Sequence, residues 1–177
     1  MRALPLLMTA LAMAAAPAAA QPSAAAREQP IDDLAADLAF GFCPLFLAGR
    51  FSLTGPELAQ RGFGKAVVRQ PHPRVGELSL VEAKRDDGTI AFGGAVGKAC
   101  SVVVGVSDRA AVLARLRKNM TFMGLDFQPT ANVGPQLPGV KVETFKASVD
   151  ARILYLQLVQ AEAPIPTVAA QLFAMDK

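Results

Sequence analysis

The spacing of apolar residues switches repeatedly between helical and strand periods, and each switch predicts an element. From Ile31 to Phe42 the apolar positions keep helical intervals, with Leu34, Leu38, Phe42 and Leu45 on one stripe. Asp32 and Asp33 suit the first turn, where carboxylates meet the positive helix end. Pro44 cannot donate to the helix ladder, so the spacing predicts a kink or an end there, with Gly49 as the final stop. Thr54 and Pro56 predict the cap and first turn of a short helix that closes near Gly62 or Gly64. Ala66 to Gly76 reads as irregular.

Period two takes over at Glu77. Glu77 to Lys84 alternates as a strand, Arg85-Asp86-Asp87-Gly88 is a hairpin turn, and Thr89 to Val96 is its partner. Ala99 to Val106 is a third strand, with Cys100, Val102, Val104 and Val106 on one face and Ser101, Val103 and Gly105 on the other. A helix capped by Ser107 or Asp108 follows. Its inward stripe is Val112, Leu113, Leu116 and Met120, Arg115 and Lys118 point outward, and Gly124 stops it. Leu125 to Thr130 is a short strand interrupted at Pro129, and Ala131 to Gly139 is a Pro- and Gly-rich loop. Val140 to Val149 and Arg152 to Gln160 form two more strands about a turn at Asp150-Ala151. Thr167 then caps a short terminal helix with Val168, Leu172 and Met175 inward.

These elements predict an α+β fold. Five or six antiparallel strands form one sheet, helices cover one face, and the other face is wet, with Ser79, Lys141 and Gln157 on it. No internal repeat is visible. Residues 31–177 make a single domain of a size that can bury a real core.

The first thirty residues stand apart. Arg2, the apolar run Ala3 to Ala16 and the small residues Ala18-Ala19-Ala20 have the pattern of a secretory signal peptide over residues 1–20, cleaved before Gln21. Gln21 to Pro30 has nothing to bury and reads as a flexible mature N-terminus. Export places the chain in the periplasm or outside the cell, and the mature chain has no later apolar run long enough to span a bilayer. In that compartment Cys43 and Cys100 are expected to form a disulfide. Cys43 lies beside the first helix's stripe and Cys100 on the apolar face of its strand, so both point into one layer.

Composition narrows the chemistry further. The 18 basic and 15 acidic residues are too balanced to argue for nucleic acid or an anionic membrane. Gly93 to Lys98 resembles a phosphate loop, but three residues separate Gly93 from Gly97, Ala99 stands where a hydroxyl is needed, and a strand follows instead of a helix. His72, the only histidine, sits between Pro71 and Pro73 with no nucleophile elbow to serve. One His and two distant Cys make no metal set. Asp32-Asp33 and Asp86-Asp87 have structural explanations in a helix start and a turn. Arg109, Arg115, Arg117 and Lys118 wrap their helix as a solvated face, and without Trp the chain has few stacking platforms. The triplet Asn119-Met120-Thr121 matches a glycosylation acceptor but falls at a helix end.

No catalytic residue, cofactor or metal site is assigned on this reading. The expectation is a non-enzymatic binding module for another exported or envelope component. The alternative is an inhibitor of a hydrolase such as a protease or lysozyme, presenting the loop that carries Gln128, Asn132 and Gln136. A further alternative is an enzyme built on carboxylates or a Ser/Lys pair.

Overall fold

The computed structural model describes residues 29–72, 75–133, 137–162 and 166–176. The expected signal peptide, all of the segment 21–30 expected to be a flexible N-terminus except Gln29 and Pro30, and Gln136 lie outside them. The chain is α+β, built on one eight-stranded antiparallel sheet in the order β1-β2-β3-β4-β8-β7-β6-β5. The strands are β1 (Val68–His72), β2 (Gly76–Arg85), β3 (Gly88–Ala95), β4 (Ala99–Gly105), β5 (Gln128–Thr130), β6 (Val140–Val149), β7 (Arg152–Ala161) and β8 (Thr167–Asp176). Two four-strand meanders therefore meet where β4 pairs with β8.

The sheet is larger than the sequence predicts because two segments read differently. β1 uses the stretch expected to be irregular, and its Pro71 is tolerated because β1 is an edge strand. The opposite edge, β5, likewise holds Pro129. The largest correction is β8, expected as a helix. Val168, Leu172 and Met175 fit helical spacing, but the segment is apolar at alternate positions too. Val168, Ala170 and Leu172 are fully buried against the helix layer, and Ala169 is nearly so on the other face. The open slot between β4 and β7 offers hydrogen bonds on both sides, and that outweighs a weak local preference.

Helix α1 (Ile31–Asp37) continues through a π-helical turn, Leu38–Phe42, into α2 (Cys43–Leu47). Pro44 accounts for the wide turn. In an α-helix its ring would clash with the carbonyl of Phe40, and the extra residue relieves that contact. The same residue shifts the phase of the stripe. Leu34 and Leu38 are buried as expected, but beyond the turn Cys43 and Phe46 are buried, while Leu45 is 43% exposed. Short helix α3 (Pro56–Ala59) starts at Gly55 rather than at a capping Thr54 side chain. Helix α4 (Arg109–Asn119) is capped by Asp108, whose Oδ1 accepts from the N–H of Ala111 at 3.0 Å. It buries Val112, Leu113 and Leu116, then tightens into a 3-10 helix, Met120–Met123, that ends at Gly124 with φ +64°. Arg115 does not simply face water. Its Nε lies 2.8 Å from Asp33 Oδ1 and 3.3 Å from Asp32 Oδ2, tying α4 to α1.

The helices pack on the face that carries Cys100, Val102 and Val104, over Phe92, Leu156 and Leu172. Opposed residues of antiparallel strands share a face, so the register assigns Ser79 and Lys141 to this side, near its margins, rather than to the wet face. Gln157 is on the other face, yet it is buried. His72 closes edge strand β1 opposite Gly76 instead of lying in a loop. The glycines of the rejected phosphate loop answer to strand packing: a Cβ on Gly94 would sit 2.1 Å from the carbonyl oxygen of Ala99.

Cys43 and Cys100 form a disulfide with Cα atoms 5.5 Å apart, within the expected range, and both are fully buried. Replacing Cys100 with Ser is expected to lower stability by about 2–4 kcal/mol in thermal melts. The oxidised wild type is expected to show no thiol that alkylates before reduction, and two such thiols would refute the bridge.

The β2–β3 hairpin holds the start of α1. Asp87 Oδ2 accepts from the Ile31 N–H at 2.8 Å, and its Oδ1 lies 3.0 Å from Arg85 Nε. Burial pushes the Asp87 carboxyl up, but the hydrogen bonds from Arg85 and Ile31 together outweigh it and hold the group below its ordinary value. A depressed folded-state value means the stabilisation is complete above the unfolded value near about 3.9 and is lost as pH falls through the folded value. Asp87→Asn is therefore expected to cost about 0.5–1.5 kcal/mol at neutral pH. In urea titrations the difference from wild type should shrink as the pH falls below about 4.

Candidate functional site

The strongest candidate is a cleft of about 680 Å³ at the end of the molecule where both helices finish. Its volume is in the range of small-molecule sites, about 300–1,000 Å³. One wall is the first helix around its π-helical turn, with Phe40, Gly41, Pro44 and Leu47. Phe122 and Met123 of the 3-10 helix form the facing wall, and Leu154 and Ala174 of β7 and β8 lie at the sheet side. The local causes are traceable. Gly41 falls in the wide turn and has no side chain, and a Cβ built there meets nothing within 4 Å. Gly124 stops the chain just after Phe122 and Met123, which turns Leu125 back into the lining.

The helical wall is held firmly. Phe46 packs edge-on against Phe92 at 5.9 Å, Phe51 against the same ring at 5.8 Å, and Phe42 against Phe51 at 4.9 Å. The Arg61 guanidinium lies 4.8 Å above the Phe42 ring. Beneath them the disulfide fixes Cys43, the residue before Pro44, to β4.

Charge enters this cleft only at the β6–β7 turn, through Asp150 and Arg152. Asp150 has φ +50°, a left-handed conformation that Asp tolerates better than most residues. The lining includes no Ser, Cys, His or Lys and a single acid, so it lacks both a nucleophile with its base and a carboxylate pair. It can bury apolar surface.

The residues singled out from the sequence lie elsewhere. Gln128 is on β5, where its Nε2 donates to Asp126 Oδ1 at 2.6 Å. Asn132 is fixed over the sheet's second face, its Oδ1 accepting from Thr144 Oγ1 at 2.9 Å. Gln157 Nε2 donates to Thr144 Oγ1 at 3.2 Å and to the Val133 carbonyl at 3.4 Å. These bonds explain why polar Thr144 and Gln157 are buried on the face expected to be wet: residues 132–133 lie across them. Among the described residues, no three His, Cys, Asp or Glu side chains gather as a metal set, and no helix is long and apolar enough to cross a membrane.

No protein-family model, curated protein or solved structure matches the chain. The reading of its site rests on its own residues.

Proposed function

We propose that this protein is an exported, non-enzymatic binding module that holds an apolar ligand in the cleft between the first helix, the 3-10 helix and the β6–β7 turn. The observation that carries this reading is the lining itself: an apolar concavity of ligand size, charged at one corner and free of reactive pairs. A module of this kind needs a rigid wall rather than a catalytic group, and the disulfide with the phenylalanine cluster supplies one. Periplasmic or secreted placement belongs to the same proposal. It rests on the sequence of residues 1–20 and on a disulfide suited to an oxidising compartment.

Two measurements test the proposal. An uncharged naphthylamine dye is expected to bind the oxidised protein saturably, with Kd near or below about 10 μM. Gly41→Leu fills the cleft from its helical wall and should weaken the dye at least about tenfold. Its melting temperature should hold or rise, because Gly costs a helix about 0.5–1 kcal/mol. No saturable binding by the wild type would overturn the reading. N-terminal sequencing of the exported chain is expected to start at Gln21, and an intact Met1 on that material would remove the export half of the proposal.

A further inference from the structure

The helical wall of the cleft and the disulfide share one short stretch of chain. Gly41, Pro44 and Leu47 line the cleft, and Cys43 lies among them. Beyond α1 this wall is ten residues of helix, the first five of them a π-helical turn. A π-helical turn is rare, and α2 is too short to stand as a helix alone. Contacts with the sheet must therefore impose the wall's shape.

Three kinds of contact join α2 to the sheet. Cys43 is bonded to Cys100 on β4, the Phe46 ring meets Phe92 on β3 edge-on, and the Gly97 N–H donates to the Leu47 carbonyl. The outer side of α2 adds little, since Leu45 is exposed. A ring contact tolerates sliding, and the hydrogen bond lies at the far end of α2. The bridge alone fixes the distance between the helix and β4 beside the lining. Both cysteines are fully buried in the core cluster. Two unbonded thiols need more room than a bonded pair, and a close-packed core has none to spare, so reduction moves α2 off β4 and displaces Gly41 and Pro44.

We propose that the Cys43–Cys100 pair gates the cleft: the chain binds its apolar ligand as the disulfide and not as the dithiol. The inference rests on the apolar-ligand reading above and names the regulation of that site. A thiol–disulfide oxidant switches the site on. One cysteine thiolate attacks the oxidant's disulfide and forms a mixed disulfide, and the other displaces the oxidant. Two electrons and two protons leave the chain as the oxidant becomes a dithiol. A chain kept as the dithiol in a reducing compartment therefore loads no ligand before export.

The test compares oxidised and reduced wild type in titrations with the uncharged naphthylamine dye, with a thermal melt on each. The reduced chain is expected to keep a cooperative melt and to bind the dye at least about tenfold more weakly. Gly41→Leu identifies cleft binding, and dye signal from the reduced chain that this substitution leaves unchanged is not counted. Equal affinity in both forms overturns the gate and leaves the ligand reading standing. No binding by the oxidised chain removes both. If the reduced chain does not fold, a second measurement on the folded oxidised chain decides. Its bridge is reduced with dithiothreitol at low urea, where a rate that does not change with urea reports local opening rather than unfolding. Dye at about ten times its Kd should slow that rate about tenfold, because the opening that admits the reductant also dismantles the site. A rate that ignores the dye, or that follows urea throughout, overturns the gate.

Discussion

One covalent tie, and the helical irregularity that makes it reachable, governs much of this structure. Without the wide turn at Leu38–Phe42, the first helix would present Leu45 to the sheet and carry Cys43 off to the side. With it, Cys43 and Phe46 take the core positions, Cys43 meets Cys100 on β4, and Phe46 meets Phe92 on β3. Pro44 is what makes the ordinary helix unfavourable at this point. A residue that reads as a terminator thus serves to rotate the second half of a helix and bring its thiol into register. The bridge closes a loop with a sequence separation of 57 that contains β1, β2 and β3 and ends just inside β4, so these three strands are constrained between the helix and β4.

The cleft is a by-product of the same geometry. Gly41 lies in the wide turn, and its missing side chain leaves the space beside it open. The 3-10 helix borders that space without closing it, since Phe122 remains largely exposed. The opposite end of the molecule is closed instead by polar bonds: Asp87 caps α1, Arg85 donates to the Gln29 carbonyl, and Arg115 joins the two helices through Asp32 and Asp33. Asp32, Asp33 and Asp87, expected to serve a helix start and a turn, are absorbed in that work. The molecule is therefore polar and tied at one end, apolar and open at the other.

What could be read from the sequence follows where one signal dominates. The β2–β3 hairpin, the inward face of β4 and the α4 stripe each had an unambiguous local cause, and the α4 cap was narrowed to Ser107 or Asp108, of which Asp108 serves. β8 did not: Thr-Val-Ala-Ala-Gln-Leu-Phe-Ala-Met satisfies both periods, and only its neighbours β4 and β7 decide between them. Leu45 was placed wrongly because a one-residue phase shift has no signature beyond Pro44, which more often marks an end. The cleft was illegible for a different reason. Its walls come from residues near 40, 122, 150 and 174, all of ordinary type, and the only hint was a cluster of apolar residues at the close of α4 where a soluble helix end is usually polar.

The position of β8 bears on how the chain acquires its shape. It is the last strand in sequence and lies at the centre of the sheet, so each meander has one unsatisfied margin until it arrives. A chain emerging N-terminus first can form the β1–β4 unit and its helix, but β4 keeps a bare row of backbone donors and acceptors until residues beyond Thr167 are free to dock. Assembly must then join segments about seventy residues apart, a non-local step that belongs among slow ones. Until that strand docks, β4 and β7 have no common neighbour, so the two halves can be ordered separately but not as one continuous sheet.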